Sequence, residues 1–290
     1  MKPTAGTLES RTKPADSGVT PGGPRNHFLS EMLASFSPNR VISKAALRFI
    51  IVFQVAVLLV VWATSTYVFL PKPPDVWRAF VDLWNHEGLG QELIISFLLN
   101  IQAMAWATVL SLGIAYLTVV PFFQPIANAI SKGRFLGMVG LTFFFTIIFA
   151  SGHRLKVSLL VFGVGVFFVT TMLDVVAQVP KEKFDLARTL RMGEWRVVWE
   201  VIVLGRADAA FDAMRQNAAM GWMMLTMVEG ISRSEGGVGA LLLNQNKHFR
   251  LEAVFAIQIA ILLIGLFQDY ALGLTKKFLF PYAELQLERR

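Results

Sequence analysis

The sequence predicts an all-α integral membrane protein with about six transmembrane helices. Three observations carry that prediction. Hydrophobic residues make up 54% of the 290-residue chain and charged residues only 16%, whereas soluble domains run near one-quarter charged. Mean hydropathy is +0.54. The apolar residues also gather into long runs, several close to the ~20 residues that a helix needs to cross a bilayer. The 24 phenylalanines suit contact with membrane lipid, and there are no cysteines. A disulfide framework, a Cys-based zinc site and thiol chemistry are therefore excluded. In such a chain the net charge of +7 reports topology and not nucleic-acid binding.

The elements follow in order. Residues 1–40 are rich in Pro, Gly, Ser and Thr and have no apolar run near Met1, which predicts a flexible cytoplasmic arm and not a cleaved signal peptide. A short helix over 28–36 is expected on the membrane surface. The remainder, 41–280, holds the spans, and 281–290 forms a tail. The first span covers 49–70 and ends at Pro71. The second covers 93–120 and ends at Pro121. The third, 135–150, is short and rich in Phe and Gly. The fourth covers 157–179 and ends at Pro180. The fifth, 207–231, is the weakest, because Asp208, Asp212 and Arg215 occupy its start. The sixth covers 253–275. With the N-terminus inside, the inner segments hold 20 of the 27 Lys and Arg residues and the outer ones 7. That bias sets an N-in, C-in topology and places 180–205 in the cytoplasm.

This segment, 180–205, is charged and patterned. Pro180 opens a helix at no hydrogen-bond cost. Phe184, Ala187 and Leu190 then share a face, with Arg188 and Arg191 on others. Gly193 is placed to end the helix, and Glu194 and Trp195 begin a second amphipathic run through Val198, Trp199 and Ile202. Two short helices with a bend between them make a compact knob. The bland alternative is a solvated linker.

Asp185-Leu186-Ala187-Arg188-Thr189-Leu190 resembles the Glu-Ala-Ala loop of ABC importer permeases. Leu70-Pro71-Lys72-Pro73-Pro74-Asp75-Val76 is similar to the Leu-Pro-x-Pro-x-x-Val of their nitrate, sulfonate and taurine branch. Gly221-Trp222 through Val228-Glu229, then Gly236-Gly237-Val238-Gly239, resembles that branch's fifth span and outer loop. The chain departs from the pattern in four places. Asp185 stands for Glu, Leu186 for the first Ala, Arg191 for the expected Gly, and Leu204-Gly205 for Leu-Pro. The resemblance implies a type I importer permease fold in a bacterial cytoplasmic (inner) membrane. It also implies that the knob docks on a separate ATPase, with Asp185 as acidic anchor and Phe184, Ala187 and Leu190 as packing. The chain itself has no Gly-x-x-x-x-Gly-Lys-Ser/Thr loop, so ATP and Mg are expected in the partner, and no cofactor or catalysis in this chain. Further implied partners are a second permease chain, identical or not, and an external solute-binding protein on the outer loops 71–92 and 232–252. The solute implied is small: nitrate, a sulfonate such as taurine, bicarbonate, or a related organic molecule.

Polar residues inside spans are costly and mark candidate path or gate positions. They are Asn100 and Gln102 in the second span, Glu229 near the outer end of the fifth and Gln258 in the sixth. The plain readings are interhelical hydrogen bonds for Asn100 and Gln102 and the outer water boundary for Glu229. Asp269 reads as structural. Met214, Met220, Met223, Met224 and Met227 accompany Trp222. Trp222, Met223 and Met227 join the candidates because flexible thioethers suit a surface that repacks, although ordinary helix packing uses them too. Gly133 and Gly137 form a Gly-x-x-x-Gly. His153 lacks partners at ligand spacing, so no metal site is expected. His86 and Glu87 read as solvated loop residues. A secondary transporter or channel would instead show internal repeats or charges along a route, and a membrane enzyme would show clustered acids and bases.

Overall fold

The computed structural model describes residues 43–67, 69–149, 152–232 and 236–282. The expected 1–40 arm and 28–36 helix, and the tail beyond residue 282, lie outside them. The chain divides into two compact units between Ser65 and Thr66. The described part of the first is one helix, α1 (Lys44–Thr64), whose N-terminus is capped by the Ser43 side chain accepting from the Ala46 N–H. Its 21 residues give about 32 Å of helix, enough to cross the hydrocarbon core.

In the second unit every regular element among the described residues is helical. The double proline Pro73-Pro74 opens α2 (Pro73–His86), because proline's fixed φ suits a first turn. Gly88, with φ +68°, reverses the chain into α3 (Leu89–Leu117). A broken segment follows. A short turn Pro121–Phe123 leads into α4 (Gln124–Lys132), a second turn Gly133–Phe135, and α5 (Met138–Phe149). Then come α6 (His153–Ala177), α7 (Lys181–Thr189), α8 (Glu194–Val197), a π-helical turn Val198–Leu204, α9 (Ala207–Ile231), α10 (Val238–Lys247) and α11 (Leu251–Leu279).

The core lies where α3, α6 and α9 meet, and α3 against α6 is the most extensive helix pair. On α3 a buried stripe of small residues, Ser96, Ala103, Ala107, Ser111 and Ala115, lets the backbones approach. Ser111 Oγ donates to the Gly165 carbonyl of α6 at 3.2 Å. Near the C-terminal end of α3, Ala115, Phe168, Met172, Ala210 and Ala213 close into one apolar cluster.

Two expectations change. The expected third span, 135–150, is helical over Met138–Phe149, after a sharp break from the preceding piece. The Pro121–Phe135 and Met138–Phe149 pieces are bent by 115°, and α5 alone, at 12 residues, is about 18 Å long and too short to cross. Two glycines stand at the break: a Cβ at Gly133 would lie 3.2 Å from Val166 of α6, while one at Gly137 would meet nothing within 4 Å. The pair therefore does not act as a Gly-x-x-x-Gly seam within this unit. Second, by length and composition α1, α3, α6 and α11 can each cross a membrane, and the bent pair makes five. The expected fifth span is helical over the expected residues, yet α9 is not apolar enough to qualify on its own, because polar side chains crowd its first half.

Candidate functional site

The knob is built by two helix ends. α7 begins after Pro180 and stops in a closed turn in which the Arg191 N–H donates to Arg188 O at 2.9 Å and the Met192 N–H to Ala187 O at 3.2 Å. This is the Schellman pattern, which satisfies the orphan carbonyls of a helix end and needs a left-handed residue. Arg191 fills that position with φ +56°. Gly193, expected to end α7, is instead extended (φ −65°, ψ 150°) and caps the start of α8. The predicted face also splits. Ala187 is buried within the chain, Phe184 is half-buried, and Leu190 is exposed, so Ala187 cannot supply packing to a partner. The exposed apolar surface is Leu186, Leu190, Trp195 and Trp199. Asp185 is exposed and lies 4.0 Å from Arg188, whose Nε lies 3.6 Å from Glu194. Such exposed pairs contribute little energy, but Arg188 bridges the two helices across the bend.

The knob continues into the π-helical turn. The Gly205 N–H donates to Glu200 O at 3.0 Å, a bond that proline could not make. A Cβ at Gly205 would fall 2.5 Å from the Val201 carbonyl oxygen. The departure from Leu-Pro thus has a local cause: this turn requires an N–H and no side chain.

A second constellation lies where α3, α6 and α9 meet the loop before α10. Glu229, wholly buried, accepts from Ser96 Oγ at 2.6 Å and from the Gly239 N–H at 2.8 Å. Ser96 in turn accepts from the Val238 N–H at 2.8 Å. Glu92 accepts from the Gly237 N–H. Lys156, also buried, donates to the Gly236 carbonyl at 2.7 Å. Two carboxylates, a lysine and a hydroxyl thereby hold the backbone of the loop 236–239. The glycines are steric requirements: at Gly237 (φ +108°) a Cβ would fall 2.3 Å from the Glu229 carboxyl carbon. Glu229 is therefore not a wetted boundary residue.

A third network lies deeper. Gln268 Oε1 accepts from Asn100 Nδ2 at 3.1 Å and from Trp222 Nε1 at 2.8 Å, joining α3, α9 and α11. Asn100 and Trp222 are buried, so they serve this junction. Gln102 is exposed and bonds His153 at 2.8 Å. Met223, Met227 and Gln258 are exposed. On α9, Met223 and Met227 continue an exposed stripe through Gln216 and Ala219, while Gln258 lies on α11. Toward the C-terminal end of α11, Arg215 pairs with Asp269 through two 2.6 Å bonds, and Lys276 with Asp212 at 2.6 Å.

At the other end Arg250 donates to Glu87 at 2.6 Å and Asp82 at 3.0 Å, so Glu87 is an ion-pair partner and not merely solvated. Hydrogen bonding to Glu87, then to Asp82, raises the Arg250 pKa above its ordinary value. Sequence reasoning missed Ser96, Lys156 and Gln268. A lysine inside an apolar run was the one available signal for Lys156. Among the described residues no group of three or more His, Asp or Glu is placed to hold a metal ion.

No family model matches the sequence, and no curated protein does. A solved structure matches: a chain of the MetNI methionine ABC transporter, solved in inward facing conformations, at a TM-score of 0.51 and 13% identity. The match covers 73% of this chain and 99% of that one. At that identity it shows the fold: an all-helical arrangement shared with a chain of an ABC transporter.

Proposed function

We propose that this chain is the membrane-spanning permease subunit of an ATP-driven importer of type I. One observation carries the reading. On a fold shared with an ABC transporter chain, a bent helical pair presents Leu186, Leu190, Trp195 and Trp199 to its surroundings. Exposed apolar side chains rimmed by charges mark a protein interface, and here the partner is a separate ATPase that binds ATP and Mg. Asp185, exposed beside them, is the acidic contact.

The exposed stripe of α9 supports a second permease chain. A helix too polar for lipid must face protein or water, so Gln216, Ala219, Met223 and Met227 line the path or the seam between two permeases. Glu229 and Lys156 fix the loop above it. The orientation is N-in, C-in, in a bacterial cytoplasmic membrane, with an external binding protein delivering solute. ATP binding draws two ATPases together and shifts the helices between inward-open and outward-open states, which takes several kcal/mol of differential binding. The motifs favour the nitrate, sulfonate and taurine branch. The exposed Met223 and Met227 of that stripe carry no charge, so it gives no preference for an inorganic anion over a small organic solute.

The test is a tagged purification in mild detergent with mass spectrometry of what accompanies the chain. A nucleotide-binding subunit in near-equal amount is the expected result, and any second permease defines the dimer. Purification as a discrete oligomer of this chain alone points to a self-contained transporter or channel and overturns the proposal.

A further inference from the structure

α2 carries three faces. At about 100° per residue, Val76, Ala79 and Leu83 form one stripe and are buried. Asp75, Arg78, Asp82 and Asn85 form a second, all exposed. Trp77, Phe80, Val81 and Trp84 form a third, about 130° around the helix from the charged one. The rings make a ladder, with centroids 5.7 Å apart for Trp77 and Phe80 and 5.8 Å for Phe80 and Trp84. The Trp84 ring lies against Gly90 at the start of α3, 3.1 Å from where a Cβ would stand. Even so, Trp77 is 66% exposed and Trp84 53%.

The two flanks of α2 differ in chemistry. Beside the ladder runs a groove of about 550 Å³, walled by Phe80, Trp84, Leu93, Ile94, Leu263 and Ile264 with no charged side chain. The other flank is a crevice lined by Asp75, Arg78, Asp82, Arg250 and Glu252. The apolar groove runs into the exposed apolar faces of the long spans: Ile94 and Leu98 on α3 are each 61% exposed, and Leu263 on α11 is 60% exposed. Those faces belong to helices long and apolar enough to cross a membrane.

We propose that α2 is an interfacial helix whose occupant is lipid. The Trp77–Phe80–Trp84 ladder lies at the boundary between headgroups and acyl chains, the groove receives acyl chains, and the charged face points to water. Indole and benzyl rings concentrate at this depth, where an apolar body and a polar edge are both satisfied. A helix with one charged and one aromatic face lies in the interface plane. Continuity with the lipid-crossing faces of α3 and α11 distinguishes lipid from a soluble partner as the occupant.

The natural sequence has no cysteine, so single cysteines can carry spin labels in the full chain. The set is Trp84→Cys, Val81→Cys, Arg78→Cys and Asp82→Cys, with Leu98→Cys on α3 as an embedded reference. Val81→Cys leaves the ladder intact and guards against a folding defect in Trp84→Cys. After reconstitution in phosphatidylcholine–phosphatidylglycerol vesicles, collisions with oxygen and with a water-soluble nickel chelate are compared. Labels at 81 and 84 are expected to favour oxygen by about threefold or more, and those at 78 and 82 the chelate, as an interfacial helix requires. Equal chelate access on both faces, with Leu98 still oxygen-selective, overturns the proposal. So does a ladder shielded from both reagents, which means that a second copy or another protein covers it. A chelate-accessible Leu98 overturns the membrane reading together with it.

Discussion

Arg191 sits in the left-handed region, at φ +56°, where a side chain costs about 1–2 kcal/mol and glycine nothing. The chain tolerates this because two backbone bonds close the end of α7 around it. Arg191→Gly should therefore raise stability by about 1 kcal/mol, visible as a higher midpoint of thermal unfolding in detergent. An unchanged or lower midpoint would mean that the arginine side chain contributes more than its backbone costs. Gly237 presents the opposite case. Gly237→Ala drives a methyl group into the Glu229 carboxylate and should destabilise by about 1–3 kcal/mol. Gly137→Ala, with nothing within 4 Å, is the matched control and should be near neutral in the isolated chain. Equal midpoints for the two alanine variants would show that the loop 236–239 is not held as described.

Among the elements, α7 shows what a single sequence makes legible and what it hides. Its start is readable, because Pro180 permits few alternatives. Its end is not, because the pattern pointed to Gly193 while the hydrogen bonds place the turn at Arg191. The break before α5 was hidden for a related reason: 121–150 is apolar enough to read as loop plus span, and the 115° bend falls where Gly133 lies close to α6. The polar networks were the least legible. Ser96 and Glu229 are 133 residues apart, and Asn100 and Gln268 are 168 apart, so no local spacing announces them. At this scale the proposed docking contact is tested by Asp185→Lys. Asp185 is exposed and its nearest partner, Arg188, is 4.0 Å away, so the reversal should leave unfolding within about 0.5 kcal/mol of the parent. ATP hydrolysis by the assembled complex should persist while solute uptake falls about tenfold or more, as loss of a desolvated interfacial charge pair would produce. Uptake equal to the parent would remove Asp185 from the contact.

At the scale of the whole molecule, α2, α3, α9 and α11 of the second unit are joined at three levels. The Arg250 cluster ties α2 to the start of α11. The Asn100–Trp222–Gln268 network ties α3, α9 and α11 at mid-length. The Arg215–Asp269 and Lys276–Asp212 pairs tie α9 to α11 toward the other end. Both partners of the Arg215 pair are partly exposed, at 37% and 51%, so Arg215→Ala should cost about 1 kcal/mol and not the several expected of a fully buried pair. The exchange variant carrying Arg215→Asp with Asp269→Arg should recover most of that loss in a double-mutant cycle. Additive losses would show that the two side chains act separately.

The polar first half of α9 bears on how the chain is made. An Asp or Arg at the centre of an inserting helix costs about 2.5–3.5 kcal/mol in apparent insertion free energy, and α9 leaves the ribosome with Asp212 and Arg215 unpaired. Their partners, Lys276 and Asp269, lie on α11 and are synthesised later. In the proposed topology α9 is therefore neutralised only once α11 emerges. That topology predicts that the last two long helices enter the bilayer as a pair, and that a nascent chain cut short before α11 leaves α9 on the water side.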